Sequence, residues 1–194
     1  MAGLVESVAA STYPVTVDEV KEQLRITDDF DDAKITLCRN AAIEQIEAWQ
    51  NRKLMNTTYI QYLDSWPSPE IILPRNPVSS ITSIQYIDTA GDTQTWAASE
   101  YQTDFNSTKA RVKPTVSASF PDLGTDYLNP VIITFVAGYG TATSDVPENT
   151  RQAVTVWAAH LFEQRDHVII GQAINEVPEM MKSLITTNSL VEVI

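Results

Sequence analysis

His160, Glu163 and His167 are spaced so that two imidazoles and a carboxylate share one face of a helix, where they can reach a single metal ion. No second ligand pair accompanies them. Three such residues on one helix are more often the polar edge of a buried helix, so no metal is expected, and replacing His160 should disturb packing rather than activity. The cluster Asp28, Asp29, Asp31 and Asp32 offers oxygen ligands of the kind calcium takes. However, Ala33 stands where a calcium loop needs glycine, and no distal Glu closes the loop. These carboxylates are expected to stabilise the positive end of the next helix. No serine sits in a GxSxG elbow, Gly138-Tyr139-Gly140 has no following lysine to reach a phosphate, and Cys38 has no triad partners. Among the many carboxylates nothing singles out an acid and base pair. The expectation is a protein without catalytic residues, cofactor or metal.

The bulk properties narrow the class further. The 194 residues, 43% of them hydrophobic, suit one folded domain with an arm at an end. No apolar run approaches the roughly 20 residues of a bilayer span. The opening MAGLVESVAASTYP has no basic segment and carries Glu6, so neither secretion nor membrane insertion is expected. The sequons at Asn56 and Asn106 are then chance matches. Cys38, the single cysteine, excludes an internal disulfide and fits a reducing compartment as a small core residue. With 25 acidic against 13 basic residues the net charge is −12. This balance argues against a protein that holds nucleic acid by neutralising phosphates, and suits a wall that DNA passes without sticking.

The organising stretch is Asn129 to Asp166. Val131 to Val136 reads as a buried strand bounded by Pro130 and by Gly138 and Gly140. Asp145 is placed to cap a following helix whose first turn holds Pro147 and Glu148. Val154, Trp157, Ala158 and Leu161 recur at helical spacing there, and Ala153, Val156, Ala159 and Phe162 fill much of the remaining circumference, as in a helix buried on more than one side.

The first 15 residues lack periodicity and read as an arm that orders against a partner. Thr16 with Glu19 forms a capping box for a helix over 17–26 with an apolar stripe of Val17, Val20 and Leu24. A second helix is expected over 31–52. One face carries Ile35, Cys38, Ala42, Ile46 and Trp49, and a narrower seam of Leu37, Ala41 and Ala48 suits either another part of the fold or a second subunit. From residue 57 to 136 the period is strand-like. TYIQYLD, EIILP, SITSIQYID, TQTWAA and ARVKP are candidate strands, with a hairpin over Ile81 to Ala97 turning at Thr89 to Asp92. Prolines confine the strands to edges and ends, so a small, mostly antiparallel sheet closed by the Val131 strand is expected. With a third helix over 147–166, the order helix, helix, strands, helix is that of an α+β domain with extended N- and C-terminal arms. Residues 171–194 end in an apolar stretch that either packs back on its own domain or docks on a partner.

Several stretches together resemble one family. TVDEVKEQLRITDDFDDAKITLCRNAAIEQIEAWQNRKLM is similar to the opening of the head-tail connector (adaptor) proteins of long-tailed bacteriophages and gene transfer agents. ILPRNPVSSITSIQYIDTAGDTQTWAASEYQTD resembles that family's LPR-x-P segment and hairpin, and VIITFVAGYG with VPENTRQAVTVWAAHLFEQRD its strand, glycine turn and third helix. The resemblance covers roughly residues 14 to 170 and makes 16–170 the connector domain. It implies a structural protein of the virion neck, formed in the host cytoplasm during assembly. Twelve copies would form a ring under the portal protein, extend its channel and receive a tail, stopper or tail-terminator protein, while DNA passes without specific binding and no membrane is involved. Leu37, Ala41 and Ala48 then become a subunit contact. Val177, Met180, Leu184, Ile185, Leu190, Val191, Val193 and Ile194 become a portal-binding arm. The alternative is a tail-completion or other protein-binding component of the particle.

Overall fold

The computed structural model describes residues 3–163. The chain forms two compact units, each assembled from two separate stretches: a helical unit of Thr12–Leu54 and Ala142–Ile194, and a sheet unit of Met1–Ser11 and Met55–Thr141.

The helical unit holds α1 (Val17–Leu24), α2 (Asp32–Gln50) and α3 (Glu148–Glu163). The capping box forms as expected: the Thr16 hydroxyl accepts from the Glu19 N–H at 3.2 Å, and the Glu19 carboxylate accepts from the Thr16 N–H at 2.6 Å. Arg25 and Asn51 end α1 and α2 in the left-handed conformation, at φ 58° and 51°, which is why both helices stop short of the expected 26 and 52. Ile35, Cys38, Ala42 and Ile46 are buried on α2, and Trp49 meets Trp157 of α3 edge-on at 5.2 Å. Thr150, Ala153, Val154, Ala158, Ala159 and Phe162 are buried on α3, more than half of its circumference. Between the two helices the buried Gln50 amide donates to the Thr150 hydroxyl at 3.2 Å.

Asp145 does not cap α3. Its carboxylate accepts from the Ala142 N–H at 2.9 Å and closes a single 3-10 turn, Thr143–Asp145, while the Pro147 carbonyl accepts from the Thr150 and Arg151 amides that start α3. Arg151 instead ties the unit together, donating to the Pro14 carbonyl at 3.2 Å, to Glu148 at 3.1 Å and to Glu19. Burial opposes ionisation of Glu19, but the Thr16 amide and hydroxyl and the Arg151 guanidinium outweigh it and hold the carboxyl below its ordinary range.

The sheet unit holds a five-stranded antiparallel sheet of β1 (Gly3–Val8), β2 (Thr57–Leu63), β8 (Val131–Ala137), β4 (Val78–Ile87) and β5 (Thr93–Thr95), in that spatial order. A second sheet is ordered β3 (Ile71–Ile72), β7 (Arg111–Pro114), β6 (Tyr101–Asp104). The α+β class therefore holds. The Val131 strand does not close the sheet but forms its centre, pairing β2 on one side and β4 on the other. Its apolar character suits a position with no free edge. The first residues, read as an arm, include a strand paired within the chain: Leu4 lies opposite Gln61 and packs against the core of the sheet unit. Residues 101–104, too polar to read as a strand, are ordered by pairing with β7.

Burial alternates strictly on β2 and β8. Tyr59, Leu63, Val131, Ile133, Phe135 and Ala137 point inward with Ile84 and Val78 of β4, and meet Ile71, Leu73 and Val112. Trp66, Trp96 and Phe120 extend this core, with ring centroids 5.2–5.5 Å apart. The expected hairpin is β4–β5. In its turn the Asp88 carboxylate accepts from the Ala90 and Asp92 amides, and Gly91 takes φ 90°.

Asp104 organises the turn after β6. It accepts from the Ser107 hydroxyl and from the amides of Asn106 and Ser107, and it pairs with Arg111 at 3.1 Å. The Ser107 hydroxyl does most to bring its carboxyl down to about 2, helped by Arg111 and the two amides against the cost of burial. A depressed carboxyl adds stability that is fully present above its unfolded value of 3.8 and is lost as pH falls through about 2. Asp104→Asn should therefore lower stability at neutral pH and flatten the decline between pH 4 and 2. Urea midpoints measured across that window test this, and an unchanged acid limb would contradict it.

Candidate assembly surfaces

The residues considered for chemistry do not converge. His160 stacks on Trp157 at 5.1 Å with the rings 19° from parallel, as an aromatic neighbour in the helical unit. Glu163 is exposed at the end of α3, and His167 lies outside the described residues. Among the described residues no group of three or more metal-ligating side chains comes together. Two members of the aspartate cluster pair with a cation of their own chain: Lys21 reaches Asp29 at 2.6 Å and Asp32 at 2.9 Å. These contacts raise the Lys21 pKa and lower that of Asp29. Asp32 stands in the first turn of α2 as expected, whereas Asp31 precedes the helix without a side-chain capping bond. Cys38 is a buried free thiol, and Gly138-Tyr139-Gly140 is a turn.

Apolar side chains are exposed at several places among the described residues, Phe30, Leu128 and Val116 most fully, and two of these places are the following. On α2, Leu37 is 62% exposed, and Ala41 and Ala48 are exposed on the same stripe, four and eleven residues further on, with the exposed Glu44 and Gln45 standing between the two alanines. This is the narrow seam noted in the sequence, opposite the buried face of Ile35, Ala42 and Ile46. The residues assigned to the arm, Val177, Met180, Leu184, Ile185, Leu190, Val191, Val193 and Ile194, lie outside the described residues.

The second surface is the outer face of the five-stranded sheet, which sequence inspection missed. Because paired residues share a face, the register sets Val5 beside Ile60 and Thr134, Val8 beside Thr58 and Val136, and Tyr62 beside Ile132. An irregularity between Glu6 and Val8 turns Val8 to this side. Val5 and Val8 are 51% and 60% exposed, and Ile60, Tyr62, Ile132 and Val136 are partly exposed. On β4 the same face carries Ser80, Ser83 and Gln85. No Asp, Glu, Lys or Arg stands among these positions, although 20% of the chain is charged. The solvated face of an antiparallel sheet normally alternates to polar residues, so an uncharged face with this much Val and Ile is a candidate contact surface.

The chain is similar to components of phage-like particles. The Phage gp6-like head-tail connector protein family matches residues 14–116, which include α1, α2, the hairpin and the small sheet. Comparison with curated proteins gives no match. Among solved structures, a chain in the neck of an empty GTA particle computed with C6 symmetry is 26% identical with a TM-score of 0.81, the match covering 99% of this chain and 97% of that one. A chain in the neck of a native GTA particle computed with C12 symmetry is also 26% identical, with a TM-score of 0.79 and coverage of 99% and 97%. A chain in the virion of a native gene transfer agent (GTA) particle is 26% identical, at 0.80 and coverage of 98% and 97%. With the family matched over more than half its length and its fold shared with chains of particle necks, the chain belongs to the Phage gp6-like head-tail connector family and is a structural connector of a phage-like particle.

Proposed function

We propose that the chain assembles into a closed ring of twelve copies beneath the portal, extends the DNA channel and presents the attachment site for a tail, stopper or tail-terminator protein. The observation that carries this reading is the likeness, over nearly the whole length of both chains, to a neck component resolved with C12 symmetry. The net charge of −12 supports a passive channel, since an acidic surface repels the DNA backbone. In this reading residues 16–170 act as the connector domain. Leu37, Ala41 and Ala48 are a subunit contact, exposed on the side of α2 opposite its buried face, where Glu44 and Gln45 also stand. The apolar side chains between Val177 and Ile194 form the portal-binding arm. The particle neck is where the chain acts, after assembly in the host cytoplasm, and no catalytic step is involved.

Native mass spectrometry of the complex with the portal ring from the same gene cluster tests this, using the full chain and a version ending at Gly171. The full chain should add one copy per portal subunit, as a closed symmetric ring requires, and the shortened chain should add none. Binding by both would remove the arm's role. Binding by neither would overturn the portal assignment in favour of a tail-completion component.

A further inference from the structure

We infer that β1 is an exchangeable strand, and that in the assembled ring the edge of β2 is filled by β1 of the neighbouring copy instead of the chain's own. The inference rests on the ring reading and says how one copy is fastened to the next. β1 and the residues that follow it are held separately. Tyr13 to Val15 are fixed in the helical unit: the Tyr13 carbonyl accepts from the Thr143 hydroxyl at 3.2 Å, the Arg39 guanidinium lies 3.8 Å over the Tyr13 ring, the Pro14 carbonyl accepts from Arg151, and Val15 is buried. None of these contacts involves β1, which belongs to the sheet unit and is joined to Tyr13 through residues 9–12. β1 itself is weakly seated. It is an edge strand, Val5 and Val8 point to the exposed outer face, and Leu4 alone among its side chains packs on the core. The Tyr59 hydroxyl donates to Glu6 at 3.4 Å, long for such a bond, and the pairing shifts between Glu6 and Val8, at the end that leads to the link. On the inner face the register puts Leu4 beside Gln61, whose side chain is buried and whose Oε1 has no hydrogen-bond partner among the described residues. An unpaired buried oxygen opposes the seating of β1, and that cost is relieved when the strand lifts and solvent reaches the amide. The vacated edge fits one occupant, because the chain itself shows it filled: the same six residues from another copy, in the same register. Exchange keeps every backbone bond of the β1–β2 pair and changes only which copy supplies the strand, as in domain swapping. In free solution the chain's own strand is the one at hand. In a ring the neighbour's strand is held at high effective concentration, and giving one strand while receiving one is a head-to-tail contact, the kind that closes a ring.

The test is cross-linking in the full chain assembled on the portal ring, in a Cys38→Ala background so that no native thiol remains. Val5 and Ile60 are register partners on the outer face, with Cβ atoms roughly 4.5–5.5 Å apart, inside the reach of a short bis-maleimide. Chains carrying only Val5→Cys are mixed in equal amounts with chains carrying only Ile60→Cys, so that a link between positions 5 and 60 can form only between copies. In the mixed ring roughly half of the chains should move to a covalent dimer on a denaturing gel, since random mixing in a head-to-tail ring sets a matching pair at about one contact in four. The same mixture of free chains should stay monomeric, and a single chain carrying both cysteines should link internally when free and form a ladder in the ring. Should either substitution prevent assembly, Val8→Cys with Thr58→Cys, partners in the same register, replaces the pair. Rings whose mixed chains give no dimer while the doubly substituted chain still links internally would overturn the inference, because each copy then keeps its own strand. Dimers from rings of either single variant alone would overturn it too, showing a like-with-like contact. If the Cys38→Ala parent and the unsubstituted chain form no ring at all, the ring reading itself fails, an outcome separable from the others by native mass.

Discussion

Gly138→Ala is expected to destabilise the sheet unit by roughly 2–4 kcal/mol, among the largest effects of any single-methyl addition to this chain. Gly138 ends β8 at φ 145°, a conformation L side chains rarely adopt. A Cβ there would lie 2.4 Å from the Asn56 nitrogen and the Met55 carbonyl carbon, and 2.5 Å from the Met55 oxygen. All three atoms are backbone, so no side chain can swing aside to make room. The neighbouring chain cannot yield either, because the Asn56 N–H donates to the Gly140 carbonyl at 2.9 Å and the Gly138 N–H to the Pro77 carbonyl at 2.8 Å. Gly3→Ala is the matched control: its Cβ would meet only the Tyr62 side chain, at 3.7 and 3.9 Å, ordinary contact distances. That variant should stay within about 0.5 kcal/mol of the parent. Urea unfolding of the two variants beside the parent decides the matter. Equal midpoints for all three would mean that the turn relaxes and that the glycine is dispensable.

The same turn shows what the sequence made legible. Two glycines after a β-branched run announce the end of a strand, and the capping box at Thr16 announces the start of a helix, because both signals are local and act through the backbone. The topology of the sheet depends on pairings between distant strands, and there the sequence said less. The first 15 residues show no strand period, and the irregularity between Glu6 and Val8 is what reconciles the spacing of Leu4, Val5 and Val8 with a sheet. β4 repeats the case. Val78, Ile81 and Ile84 recur every third residue, which no regular strand can bury on one face, yet shifts between Val78 and Ser80 and between Ile81 and Ser83 bring all three to the inner side. Asp145 departs from expectation for a different reason. Its type and position suit a helix cap, but the Ala142 amide lay closer to hand. The seam of Leu37, Ala41 and Ala48 was visible from helical periodicity alone, whereas the outer sheet face was not, since it is assembled from four strands and exists only once their register is known.

Phe135→Ala carries the second large effect, an expected loss of about 3–5 kcal/mol. Phe135 is fully buried at the centre of β8, the strand with partners on both sides, and its ring stacks on Tyr59 of β2 at 5.8 Å and 29°. Removing it leaves a cavity between a central strand and Tyr59 that hydrogen-bonded neighbours on either side keep from collapsing. Side chains alternate along β8, so the strand that carries Phe135 inward carries Thr134 and Val136 outward, onto the uncharged outer face of the sheet. A core substitution should thus be felt at assembly as well as at unfolding. Phe135→Leu, which refills much of the cavity, should recover most of the stability and restore ring formation with it. Thermal unfolding and native mass spectrometry on the same three samples test both halves. If Phe135→Ala lowers the melting temperature as expected but rings form undiminished at temperatures where it stays folded, the outer face of the sheet does not take part in ring formation.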